Sequence, residues 1–156
     1  MIAKGIHELA VALKESGKHI TIETAATISP EGIACNLASL SPKLTNSMPD
    51  DRLSEAWRNR HEQLRRQPHI IQQWVDQYPY QLKFVVSSAT DIEEMQQLLH
   101  EVNRDIPATK VLLMPEGTST EMIRGRDETL LDICKRYGYR FCNRLHIELF
   151  GNTRAT

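Results

Sequence analysis

Apolar residues recur along this chain with two periods, and the switches between them outline its elements. Across 2–16, Ile2, Ile6, Leu9, Ala10 and Leu13 fall on one helical stripe, and Gly17 follows where a C-terminal cap sits. Residues 19–24 then alternate β-branched and polar side chains, which predicts a strand. A second apolar run over 37–41 stops at Pro42, and Ser29-Pro30-Glu31-Gly32 between the two strands is turn chemistry. Residues 44–52 read as a loop. A polar helix is predicted over 53–66, with Leu53, Ala56, Trp57 and Leu64 marking one face, and Pro68 interrupts it. Ile70, Ile71, Trp74 and Val75 start another helix.

The rest is more regular. A strand is predicted over 80–86, a helix over 91–103, a strand over 109–114, and a further helix that Gly138 ends. Thr90 with Glu93, and Thr118 with Glu121, have capping-box spacing at the two helix starts. A last strand is expected over 140–150, where Leu145, Ile147 and Leu149 alternate. Strands alternating with helices over short connections predict an α/β class with a mostly parallel sheet. No repeat, low-complexity tract or linker divides the chain, so 1–156 reads as one domain.

Composition narrows the reading. A closed eight-fold α/β barrel takes about 250 residues, and this chain has 156. With 19 Lys+Arg against 20 Asp+Glu the formal net charge is −1, which does not indicate a nucleic-acid-binding surface. No apolar run approaches the roughly 20 residues of a membrane helix, and the first residues lack a signal-peptide pattern. A cytoplasmic location is expected, and Cys35, Cys134 and Cys142, with no CxxC pair, fit it as buried or inert thiols. Arg52, Arg58, Arg60, Arg65 and Arg66 make 52–66 the most basic stretch. It reads either as a solvated helix face or as an anion-binding one.

In parallel sheets the chemistry gathers at the carboxyl ends of the strands. Here those ends are Glu23-Thr24, Ser41-Pro42-Lys43, Ser87-Ser88 and Met114-Pro115-Glu116-Gly117. Lys43 can meet a ligand carboxylate or stand as an ordinary solvated lysine. Lys83, between Leu82 and Phe84, turns to the opposite face, a barrel lumen if the sheet curves, in a structural ion pair or a ligand contact. His146, between Leu145 and Ile147, is a hydrogen-bonding candidate or a structural histidine. No Ser/His/Asp order, metal-binding His pair, P-loop or GxGxxG is present.

Five strings in order resemble one family: Ile22-Glu23-Thr24-Ala25-Ala26-Thr27, Leu40-Ser41-Pro42-Lys43-Leu44, Leu82-Lys83-Phe84-Val85-Val86, Leu112-Leu113-Met114-Pro115-Glu116-Gly117, and the ending from Arg144 to Arg154. Together they resemble 7-carboxy-7-deazaguanine synthase, a radical S-adenosylmethionine enzyme. The resemblance implies a partial, open TIM-like barrel and a ring contraction of 6-carboxytetrahydropterin with loss of ammonia. It implies S-adenosylmethionine, a [4Fe–4S] cluster and Mg2+ as cofactors. By motif, Glu23, Thr24 and Ser41 would meet the ribose or amino-acid part of S-adenosylmethionine, with Lys43 near its carboxylate. Met114, Pro115, Glu116 and Gly117 would line its adenine. His146 and the carboxylate of Thr156 would contact the pterin.

The departures are equally specific. The CxxxCxxC cluster motif and the Gly-Gly-Glu-Pro stretch of the family are absent, and Ala26 stands where a glycine is common. The chain therefore resembles the carboxyl-terminal two-thirds of such an enzyme, with the first barrel units missing, and is expected to be inactive alone. The alternatives are a non-catalytic S-adenosylmethionine- or pterin-binding module, or a half-barrel completed by another chain, a homodimer among the assemblies expected.

Overall fold

The two periods become parallel strands and the helices that connect them. The structure is a computed structural model that describes residues 5–50 and 52–153. The strands are β1 (Thr21–Thr24), β2 (Leu37–Leu40), β3 (Tyr80–Val86), β4 (Val111–Pro115) and β5 (Arg140–Phe141). The helices are α1 (Ile6–Glu15), α2 (Glu55–Arg65), α3 (Pro68–Gln77), α4 (Ala89–Glu101), α5 (Thr120–Tyr137) and α6 (Leu145–Phe150). The sheet runs β1-β2-β3-β4-β5, every pair is parallel, and it does not close on itself.

Strand order equal to chain order decides where the helices go. Right-handed crossovers that all step the same way leave their helices on one face. The core agrees: Ala38, Leu40, Leu82, Phe84, Val86, Val111 and Leu113 alternate onto one side of the sheet. Ala10 of α1, Ile71 and Trp74 of α3, Met95 and Leu98 of α4, and Leu130 and Cys134 of α5 join them in a single apolar cluster. Alternation turns Glu23, Ser39, Gln81, Lys83, Val85, Leu112 and Met114 to the other face. Of these only Leu112 is a buried apolar residue, and it stands apart from the cluster.

Most expected boundaries hold within two residues. Pro68 opens α3 rather than merely ending α2, because its missing N–H is an orphan at that position anyway. Gly17 (φ +76°) and Gly138 (φ +74°) take the left-handed conformations that end α1 and α5. The expected stripe on α1 is less buried than its period suggests, since Leu9 and Leu13 remain exposed.

Three expectations are corrected. The capping box of α4 is Ser88 with Asp91, two residues earlier than Thr90 with Glu93. The cap of α5 is Ser119, whose hydroxyl accepts from the Met122 N–H at 3.3 Å, not Thr118. The strand over 140–150 is only two residues long, and Leu145–Phe150 is the helix α6. There the Asn143 side chain accepts the Arg144 N–H at 2.7 Å, and the Arg144 carbonyl accepts from Ile147 and Glu148. Those local bonds turn the chain into a helix before the ladder with β4 can continue. Only Ile147 of the alternating trio is buried; Leu145 and Leu149 are exposed.

Candidate functional site

Because all five strands are parallel, their carboxyl ends share one rim, and the backbone stays paired just beyond it. The Ser41 N–H donates to the Thr24 carbonyl at 2.7 Å, Glu116 N–H to Val86 at 2.9 Å and Cys142 N–H to Leu113 at 2.8 Å. The rim is therefore a fixed frame from which the segments at 41–43, 87–88, 115–117 and 142–144 depart.

Below the rim, the sheet face away from the helices carries polar side chains on β1, β2 and β3. Lys83 donates to the Glu23 carboxylate across the sheet, with Lys83 mostly shielded and Glu23 about two-thirds exposed. One row deeper, the Gln81 amide donates to the buried Ser39 hydroxyl at 3.0 Å. Lys83 therefore stands in an ion pair. Ser39 and Gln81 were missed in the sequence although the signal was there. Each precedes a core leucine, Leu40 or Leu82, and so must face the other way.

The candidates divide by where they sit. Glu23 and Met114 share the polar face, and Ser41 follows Leu40 at the end of β2. Thr24 lies on the helix side, where its hydroxyl accepts the Ala26 N–H at 3.1 Å and holds the turn after β1. Pro115 is buried. The Glu116 carboxylate accepts from Arg126 of α5 at 2.7 Å, and the Gly117 carbonyl accepts from Arg144 at 2.8 Å. That pairing occupies the Glu116 carboxylate and the Gly117 carbonyl. Lys43 is exposed at the rim. His146 lies on α6 and is exposed, so the strand alternation that aimed it at the sheet face does not apply. Thr156 lies outside the described residues.

Two charge networks brace the rim. Burial alone would raise the pKa of Asp91, yet hydrogen bonds from the Ser87 N–H and hydroxyl, both 2.7 Å, and the Ser88 N–H, 3.0 Å, hold it below the usual carboxylate range. Glu94 shows the same contest. Burial raises it, and the Thr45 N–H at 2.8 Å with Arg65 at 2.6 Å bring it down. Arg65 also binds Glu62 at 2.6 Å and the Lys43 carbonyl at 3.2 Å, so α2 is clamped to the segment that carries Lys43. Much of the basic stretch is thus internally neutralised: Arg66 pairs with Glu101 and Arg52 with Asp50.

Metal and cluster ligation find little support. Among the described residues no group of three His, Cys, Asp or Glu side chains is placed to hold a metal ion. Cys35 and Cys134 belong to the apolar core, and burial pushes the Cys134 thiol up, away from the thiolate a metal or an electrophile needs. A three-cysteine iron–sulfur site does not fit these residues. No helix is long and apolar enough to cross a membrane among the described residues.

A protein of Rhodopirellula baltica named 7-carboxy-7-deazaguanine synthase is 38% identical over 157 residues. The chain is similar to 7-carboxy-7-deazaguanine synthases along its whole length. That alignment takes in all of this chain and 60% of the relative. Synthases of the same name from Halobacterium salinarum and Pyrobaculum aerophilum are 34% and 31% identical, each over 97% of this chain and 63% and 61% of their own lengths. The chain therefore spans about three-fifths of the 7-carboxy-7-deazaguanine synthases it matches. No protein-family model matches it, and no solved structure matches it significantly.

Proposed function

We propose that this chain is the ligand-binding part of a 7-carboxy-7-deazaguanine synthase of the radical S-adenosylmethionine class. In this reading its sheet is the carboxyl-terminal portion of an open TIM-like barrel, and the polar face is the barrel lumen. The reaction is the conversion of 6-carboxy-5,6,7,8-tetrahydropterin to 7-carboxy-7-deazaguanine with loss of ammonia. The observation that carries it is the polar set Glu23, Ser39, Gln81 and Lys83 on the sheet face away from the helices, in a chain similar throughout to synthases of that name. Glu23, Thr24, Ser41 and Lys43 hold the ribose and amino-acid part of S-adenosylmethionine, and the main chain of 114–117 flanks its adenine. Lys83 fixes the direction in which Glu23 offers its carboxylate. His146 and the terminal carboxylate of Thr156 meet the pterin.

A [4Fe–4S] cluster and Mg2+ belong to that chemistry, and this chain's residues do not fit as the cluster's ligands. The chain is accordingly inactive alone, and no step through the cluster falls to its side chains. They bind, orient and exclude water. An assay of 6-carboxytetrahydropterin turnover tests this directly. The chain alone is expected to form no 7-carboxy-7-deazaguanine. A chimera that adds the part of the Rhodopirellula baltica synthase outside the match, reconstituted with iron and sulfide, is expected to form it. An active chimera unaffected by Glu23→Gln and Lys43→Ala would overturn the residue assignment, and a folded, cluster-loaded but inactive one would overturn the reading itself.

The open sheet favours a second reading. β1 pairs with β2 alone among the described strands, which suits a half-barrel completed by another polypeptide. A binding module without catalysis is the remaining alternative. Calorimetric titration with S-adenosylmethionine or 6-carboxypterin separates it, since that module binds either one without any cluster.

A further inference from the structure

An apolar pocket of about 400 Å³ opens between α2 and the segments that follow β1 and β2. Leu53, just before α2, and Trp57 and Leu64 on it form much of the wall and are 48%, 63% and 45% exposed, so folding leaves three large apolar side chains in water around one pocket. Among the described residues the charged groups at the pocket are of one sign. Lys43 and Arg60 line it, and among the described residues neither side chain has an ion pair. His61 lines it too, and its Nδ1 is shielded from water with no hydrogen-bond partner. The remaining cation, Arg65, is already neutralised by Glu62 and Glu94. Among the described residues no carboxylate lines the cavity.

An apolar floor beside two unneutralised cations is complementary to one ligand chemistry. We propose that this pocket binds a planar aromatic anion, its ring system against Trp57 and its carboxylate or sulfonate between Lys43 and Arg60. Each feature has its counterpart. The ring buries indole and leucine surface that is otherwise wet. The anion gives Arg60 the planar partner a guanidinium is shaped for. This site goes beyond the proposed S-adenosylmethionine role and shares only Lys43 with it. Trp57 and Arg60 are outside that role, so the two proposals fail separately.

The test is a fluorescence titration of the full chain with 8-anilinonaphthalene-1-sulfonate. One saturable site with a dissociation constant on the order of 10 μM is expected. Trp57→Ala and Arg60→Gln should each weaken it at least about five-fold, and Arg60→Lys should recover part of the loss. N-phenyl-1-naphthylamine, which has the rings without the sulfonate, should bind about ten-fold more weakly. Equal affinity for the two dyes would overturn the proposal, because the groove would then be merely greasy. Emission that rises without saturating, or that is unchanged by both substitutions, would do the same. So would dye binding that weakens as protein concentration rises together with a dimer in light scattering, which would assign the groove to a second copy. Should Trp57→Ala lose its near-ultraviolet dichroism, Arg60→Gln, on the exposed side of α2, decides alone.

Discussion

Gly117 is required by proximity rather than by a backbone angle. A Cβ there would lie 3.0 Å from Ile123 Cγ1 and 3.2 Å from Met122 Cβ, both on the first turn of α5. Gly117→Ala should therefore cost about 1–3 kcal/mol of stability, read from the urea midpoint. Ala26 is the opposite case: its φ of +55° is a left-handed conformation, and it is 1% exposed. That conformation costs an alanine about 1–2 kcal/mol, whereas the buried methyl returns about 0.8 kcal/mol. Ala26→Gly should fall within about 1 kcal/mol of the parent, while Ala26→Val, β-branched at positive φ, should lose more than about 2 kcal/mol. Glycine being common here in the family that the sequence resembles agrees with the angle. Residue-level legibility was uneven for a physical reason. Glu23 and Lys83 sit in strands, where alternation alone assigns a face, so their shared face could be read. His146 sits where local hydrogen bonds choose between strand and helix, and Leu145-His146-Ile147-Glu148-Leu149 satisfies either pattern.

At the scale of elements, the joints between strands and helices hold the rim. Asp91 caps α4 while accepting from Ser87 and Ser88, and Asp91→Ala should cost about 1–2 kcal/mol near neutral pH. Its folded pKa lies below the unfolded value of about 3.9, so ionised Asp91 contributes fully above that value, and the contribution is lost as pH falls through the folded pKa. The gap in unfolding free energy between parent and Asp91→Ala should narrow below about pH 4, and a constant gap down to pH 2.5 would contradict the assignment. The joint at α2 depends on Arg65, which reaches Glu62, Glu94, Thr45 and the Lys43 carbonyl. Composition shows that this stretch is basic but not which arginines are spoken for. Their partners, Glu94 and Glu101, arrive from a helix some thirty residues later, and only the fold brings them together. The capping positions slipped for a simpler reason. Ser88-x-x-Asp91 and Thr90-x-x-Glu93 are both sound boxes, and the chain uses the one that lets α4 start directly after β3.

For the molecule as a whole, the parallel order was legible because strands and helices alternate so regularly. What periodicity does not carry is that the sheet stays open. The edge of β1 has a definite chemistry. Ile20 and Thr24 turn their carbonyls to β2, so Thr21 and Glu23 present their main-chain groups to the free side. Parallel strands are seldom left that way. Concentration-dependent association is expected in light scattering, and Thr21→Pro should reduce it with little loss of stability, because the N–H it removes is outside the β1–β2 ladder. Unchanged association in that variant would place the contact elsewhere.

The β3–β4 pairing runs for five residues, and Leu82, Phe84, Val111 and Leu113 within it are completely buried. The strands at either margin are four and two residues long. With neighbours in the sheet also neighbours along the chain, the margins can open one at a time without disturbing the middle. Amide exchange should consequently form a gradient, slowest at 82–86 and 111–114 and faster toward Thr21 and Arg140. The flanking strands, which carry Glu23 at one margin and lead to Arg144 at the other, would then breathe around a centre that stays shut.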